Sequence, residues 1–228
     1  MRSFPVVLVL LAAVPAGAQQ FWFGVKGGVP VTPILTAGIG DPFNAYTVYT
    51  NPYIVGATAE IRLTRGLSIG VDALMRHWSY LDRGKYQPGF SVFSSRTTAN
   101  DWEFPLFARY RLRRGKAIDP FVNAGAAVDW LQGLRQSTTV TYFIGGSTPT
   151  TFSTYPPQEL QRRTTAGVVG GGGVDLKCGR VHVEPEVRYT YWTGRHFGNP
   201  SPVLPALGYV PSLDSARDQV EVLLGITF

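Results

Sequence analysis

Few residues in this chain can do acid–base or nucleophilic chemistry. It has three histidines and one cysteine in 228 residues. His77 and Ser79 stand two apart, so an extended strand puts both on one face, with an imidazole base beside a hydroxyl. Such a pair needs a carboxylate to orient the ring, and the candidates on the next segment, Asp101 and Glu103, alternate onto the opposite face. His182 has acidic neighbours and fits a structural hydrogen-bonding role, while His196 lies beside Arg195 with no identifiable partner. Cys178 cannot form an internal disulfide, and no C-x-x-C or Cys/His cluster offers ligands to a metal. Glycines 170–173 invite comparison with a phosphate-binding loop, but Val174 and Asp175 follow instead of Lys-Ser/Thr, and no helix comes next. No catalytic, cofactor or metal residue is therefore assigned, no cofactor is expected, and the expectation is a protein that is not an enzyme.

The remaining chemistry lies in charges, and their spacing is regular. Period-two alternation, the sign of a strand with different surroundings on its two faces, recurs over residues 21–29, 53–63, 67–78, 102–112, 119–131, 165–176, 180–192 and 217–228. In the last segment Val220, Val222, Leu224, Ile226 and Phe228 share one face and Gln219, Glu221, Leu223, Gly225 and Thr227 the other. In the seventh, Val183, Val187, Tyr189 and Tyr191 oppose His182, Glu184, Glu186 and Arg188. Collected over all segments, the face opposite the apolar one carries Lys26, Arg62, Arg76, Arg109, Arg111 and Arg188 together with Glu60, Asp72, Glu103, Asp129, Asp175, Glu184, Glu186 and Glu221.

Three connections are short (64–66, 113–118, 177–179), and the four alternating with them are long (30–52, 79–101, 132–164, 193–216). Glycines at Gly66, Gly115 and Gly179 suit tight hairpins. Eleven residues at about 3.4 Å each, tilted by roughly 40°, cover on the order of 28 Å, enough for an apolar belt about 25 Å tall. Aromatic residues fall near segment ends, where membrane girdles belong. The start of the chain agrees: Arg2, an apolar run at 6–13 too short to span a bilayer, and Ala16-Gly17-Ala18 read as an export signal over residues 1–18. Residues 19–228 then form one domain.

Trp102-Glu103-Phe104-Pro105-Leu106, Pro120-Phe121-Val122-Asn123-Ala124-Gly125, Glu184-Pro185-Glu186-Val187-Arg188-Tyr189 and the closing segment carry a resemblance. The chain resembles the small outer-membrane β-barrel domain family, the porin-like relatives of OmpA and OmpX, over essentially the whole of residues 19–228. The resemblance implies an all-β fold, an eight-stranded antiparallel up-and-down transmembrane β-barrel, in the outer membrane of a Gram-negative-type cell. It also implies outer-membrane lipids as surroundings and the barrel assembly machinery as a partner, with terminal Phe228 as the assembly signal. His77 and Ser79 resemble the H-x-S pair of outer-membrane lipid A deacylases, although the rest of that context is missing.

An eight-stranded interior is filled by side chains, so the charges listed above are expected to pair across the lumen and plug it; a narrow channel for ions or small solutes is the alternative. A general-diffusion porin needs about sixteen strands. Pro105 and Pro185 cannot donate to a ladder and suggest bulges. The glycine run is expected to allow a bend and leave room for large lumen side chains such as arginines. The net charge is +6, and its basic cluster is split among the periplasmic turns, which suits anionic lipid headgroups or plain solvation and offers nucleic acid no continuous face. The loops, polar and interleaved with aromatics, are where a specific binding function would sit, their partner unknown; the longest reads as a hairpin rising above the membrane, and an extra pair within it would make ten strands.

Overall fold

The structure is a computed structural model describing residues 21–37, 44–50, 53–64, 66–86, 91–113, 117–142, 150–154, 157, 159–198 and 213–228. The export signal, Arg65, the turn at 114–116 and the loop tips at 143–149 and 199–212 lie outside the described residues. The strands are β1 (Phe21–Pro30), β2 (Leu35–Ala37), β3 (Asn44–Thr50), β4 (Ile54–Arg62), β5 (Leu67–Tyr86), β6 (Ser91–Arg111), β7 (Ile118–Tyr142), β8 (Thr150–Thr154), β9 (Thr164–Cys178), β10 (Val181–Trp192), β11 (Leu213–Ser215) and β12 (Asp218–Thr227). Among the described residues no helix is long and apolar enough to cross a membrane.

Eight of these strands close into a ring, β1-β4-β5-β6-β7-β9-β10-β12, with every neighbour antiparallel. The seam is the β1–β12 pair, in register from Gly24↔Thr227 to Pro30↔Glu221. Closure leaves the ring without an unpaired edge, the condition for crossing lipid with strands. The alternation sets the faces: along β12, Glu221 and Leu223 are buried while Val222 and Leu224 are exposed. The result is a molecule with apolar residues outside and charges inside, as a lipid surround demands.

Three strands outgrow the ring. β5, β6 and β7 have 20, 21 and 25 residues, where about eleven suffice for the bilayer. Residues 79–86 and 91–101, read in the sequence as loop, are strand instead, paired from Ser79↔Thr98 to Tyr86↔Ser91. Short β3 adds to the outer part of β5, and β8 to the outer part of β7, giving a five-stranded sheet β3-β5-β6-β7-β8 above the membrane. The β7–β8 pair is the hairpin expected in the longest loop, and it lies above the ring, which keeps eight strands.

The expected bulges at the prolines are absent. Pro105↔Ala127 and Pro185↔Leu224 sit in unbroken register, and on the other neighbour a gap in the ladder is bridged without a shift, from Val71↔Leu106 to Leu74↔Glu103 and from Val183↔Leu176 to Glu186↔Gly173. A proline's φ is compatible with a strand, and flanking bonds on both neighbours hold the register across the one missing donor. The register shift in β6–β7 lies at Thr98/Asn100, beside Gly133 with φ 65°. Gly179, at the β9–β10 turn, has φ 70°, as its hairpin position required.

Candidate functional site: a charged lumen, an apolar cap and a basic outer face

Because every second residue of each ring strand points inward, the alternation delivers charges into a space only side chains can fill. At mid-height, Glu186 on β10 is approached by Lys26 Nζ at 3.1 Å, Arg109 at 3.3 Å and Arg188 at 2.8 Å, and it accepts a hydrogen bond from Asn123 Nδ2 at 3.0 Å. Asp72 accepts from Lys26 at 2.8 Å and Arg188 at 2.6 Å, and from the Thr58 hydroxyl. Toward the periplasm, Arg109 spans Glu60 and Glu184 at 2.8 and 2.6 Å, and Arg111 reaches Glu60, Asp175 and Glu184. His182 meets Asp175 at 2.8 Å. Toward the outside, Arg76 reaches Asp101 at 2.7 Å, Glu221 at 3.0 Å and Glu103 at 3.9 Å.

Thirteen of the lumen residues named from the sequence are buried among these contacts; Asp129, the thirteenth, meets His196 rather than an arginine. Arg62 stands apart, partly exposed, with its guanidinium 4.1 Å from the Trp22 ring. Three buried carboxylates stand outside the set named from the sequence: Asp101, Asp119 and, at the cap, Glu159. Asp101 shares the inward parity of Glu103 and falls one residue before the segment 102–112; Asp119, the first residue of its segment, accepts from the Arg113 backbone N–H at 3.0 Å. Aromatic rings complete the packing: the Arg109 guanidinium lies 4.0 Å from the Phe121 ring and 5.3 Å from that of Phe107. The glycine run makes room for these rings. A Cβ on Gly173 would lie 2.6 Å from Phe121 Cζ, and one on Gly171 would lie 2.7 Å from Asn123 Oδ1 and 3.3 Å from the Cα of Arg188, its register partner on β10, so the space opposite the run is shared by Phe121, Asn123 and Arg188.

Above the charges sits an apolar cap. Leu35, Trp78, Tyr80, Ala99, Leu131, Leu134, Phe197 and Leu213 form one buried cluster, against which Ile34, Val48 and Leu160 pack. Strand residues supply its walls, and the segments 31–37, 193–198 and 213–215 supply its lid through the β2–β11 pair and the Leu160↔Phe197 bridge. Just beneath, His196 donates or accepts at three points: Nδ1 lies 2.9 Å from the Arg162 carbonyl, and Nε2 lies 3.0 Å from Asp129 Oδ2 and 3.4 Å from Thr165 Oγ1. Burial pushes the His196 imidazole down from its ordinary range. At the cap's rim, the Tyr80 hydroxyl donates to Glu159 at 3.3 Å, and burial followed by the Glu159 charge pushes Tyr80 up. The same two causes push the Asp82 carboxyl up to about 7.

The outward face of the protruding sheet is different again. Tyr49, Leu81, Arg83, Ser94, Arg96, Ser137 and Thr139 line a groove of about 440 Å³ across β3, β5, β6 and β7. Arg83, Arg96 and the adjacent Arg135 are exposed, make no ion pair among the described residues, and share this face with no described carboxylate. His77 and Ser79 lie lower on the same face. There His77 Nδ1 pairs with the Asn100 amide oxygen at 2.8 Å, so the ring is oriented by an amide where a Ser-His pair would use a carboxylate.

The chain matches the model of the outer membrane protein beta-barrel domain over residues 17–191. No curated protein matches it. Among solved structures it is similar to the outer membrane protein OprG from Pseudomonas aeruginosa, with 14% identity, TM-score 0.44, and 91% of this chain and 94% of that one covered. It is also similar to Neisserial surface protein A, with 12% identity, TM-score 0.42, and 92% and 98% covered, and to the attachment invasion locus protein of Yersinia pestis, with 8% identity, TM-score 0.34, and 91% and 98% covered. With a closed eight-stranded ring, a charged interior, an apolar exterior and a family match over most of its length, the chain belongs to the outer membrane protein beta-barrel domain family.

Proposed function

We propose that this protein is a non-enzymatic, non-conducting outer-membrane barrel that works by binding, through the sheet it raises above the membrane, the phosphorylated saccharide headgroups of the surrounding outer leaflet. The observation that carries the reading is the groove containing Arg83 and Arg96. Arg96 lies six residues above Trp102 on β6, which at about 3.4 Å per residue and roughly 40° of tilt is about 15 Å above the aromatic boundary of the lipid band. That is headgroup height, on the side facing lipid. Two guanidiniums supply fork-shaped donors for phosphate, Ser94, Ser137 and Thr139 supply hydroxyls, and Tyr49 supplies a flat face for a sugar. The lumen, occupied by ion pairs below and by the cap above, supports a plug over a channel, and the amide partner of His77 supports a role other than hydrolysis.

The test is binding of the refolded full-length protein to vesicles containing lipopolysaccharide, beside vesicles of dephosphorylated lipopolysaccharide and free inorganic phosphate. Phosphorylated vesicles are expected to bind at least tenfold more tightly than the dephosphorylated ones, and Arg83→Ala with Arg96→Ala is expected to abolish the difference. Equal binding to both, or an unchanged double variant, overturns the reading. Competition by phosphate alone would assign the site to the anion and not the lipid. Single-channel recording on the same sample is expected to show no discrete openings, and regular openings would overturn the plug.

A further inference from the structure

Independently of the groove, we propose that Asp101, Asp129 and His196 form a binding site for one divalent first-row transition ion, zinc or a close relative, which fastens the loop after β10 to the barrel wall. The three residues come from β6, β7 and that loop, are all buried, and present one ligand atom each within 4.8 Å of one another. Charge arithmetic marks the spot. Arg76 is the cation here, and around it stand Asp101, Glu103 and Glu221, with Asp129 beside Asp101. Arg188, the next cation below, is held by Asp72 and Glu186. Four buried carboxylates facing one guanidinium leave an excess of negative charge where desolvation makes it expensive.

The polar atoms agree. Asp101 Oδ1 and Asp129 Oδ1 are buried with no hydrogen-bond partner among the described residues, although buried oxygens are normally satisfied. The His196 Nδ1 lies 2.9 Å from the Arg162 carbonyl, a contact that fixes Nδ1–H as the donor and turns the Nε2 lone pair toward Asp129 Oδ2, 3.0 Å away. Neutral His196 beside ionised Asp129 sets two lone pairs against each other there, a conflict that a shared proton or a bound metal cation resolves. A ring nitrogen bonded to a backbone carbonyl, with the other free to ligate, is the arrangement that supports metal-bound histidines. One imidazole with two carboxylates suits zinc, manganese or iron(II) better than calcium, which favours an all-oxygen shell.

The experiment is metal analysis of the full-length protein refolded with zinc and passed through desalting, read as zinc per chain by mass spectrometry. One zinc per chain is expected in the wild type and in His77→Ala with His182→Ala, and less than a tenth of that in His196→Ala and in Asp129→Asn. Refolding with cobalt(II) is expected to give a visible absorption band that both site variants lose. Boiling-sensitive gel mobility checks that each variant has closed its barrel. A wild type free of zinc and without the cobalt band, or site variants that retain the metal, overturns the site and assigns the excess charge to a proton shared by Asp101 and Asp129.

Discussion

The ring of Phe197 meets the indole of Trp78 edge-on, with 5.3 Å between centroids and 88° between planes. One residue belongs to a loop and the other to a wall strand, so this contact joins the lid to the barrel. Phe197 also lies 5.9 Å from Tyr80 at 78°, and both it and Tyr80 are completely buried.

Phe197→Ala is therefore expected to cost the cap about 3–5 kcal/mol while leaving the ring intact. Limited proteolysis should cut near residue 197 many times faster in the variant, and boiling-sensitive mobility should stay as in the wild type. Equal cleavage rates would show that the lid is held elsewhere.

Glu186→Gln removes the carboxylate shared by Lys26, Arg109 and Arg188. Three buried cations then face Asp72 and the glutamates below with one negative charge fewer, and breaking a buried pair from one side costs about 3–5 kcal/mol. Urea unfolding from lipid vesicles is the measurement, with a lower midpoint expected. Glu186→Ala should fall further, because Asn123 Nδ2 also loses its acceptor.

Much of this was legible in the chain. Along β10 and β12 the two faces differ so sharply in polarity that alternation alone placed Glu184, Glu186, Arg188 and Glu221 together inside. The upper halves of β5 and β6 were illegible because neither face keeps one polarity above the membrane: Trp78, Tyr80 and Ala99 turn toward the cap beside Asp82, Ser95 and Thr97, while Leu81 stands among Ser79, Ser94 and Thr98 on the other face. The partners of His196 were hidden because the ring brings Asp129 and Arg162 to it from strands and loops distant in sequence, and spacing carries no trace of that.

Asp82 gives a pH dependence with a definite sign. Its folded pKa, raised to about 7, exceeds the value near 3.9 of an unfolded aspartate, so the folded rim binds a proton that the opened rim releases. Stability from this group is present below about pH 4 and is lost as pH rises through 7. Hydrogen exchange of residues 79–82 should be slower at pH 5 than at pH 8 after correction for intrinsic rates, and Asp82→Asn should flatten the difference.

The glycine run offers a paired test. Gly173→Leu should block closure, since its side chain would enter the space of Phe121, whereas Gly170→Ala, whose Cβ meets only the Asn123 carbonyl at 3.9 Å, should refold like the wild type. Refolding yield into detergent reads both.

The wall of this barrel is uneven: β5, β6 and β7 rise far above β1, β10 and β12, which have 10 to 12 residues each. Such a molecule has a front and a back in the plane of the membrane. A neighbour arriving on the tall side meets arginines and hydroxyls, and one arriving on the short side meets strands that end near the lid. Rotation about the barrel axis thus becomes a variable of its biology, and in a crowded leaflet the headgroups gathered on one flank would set which way the protein faces.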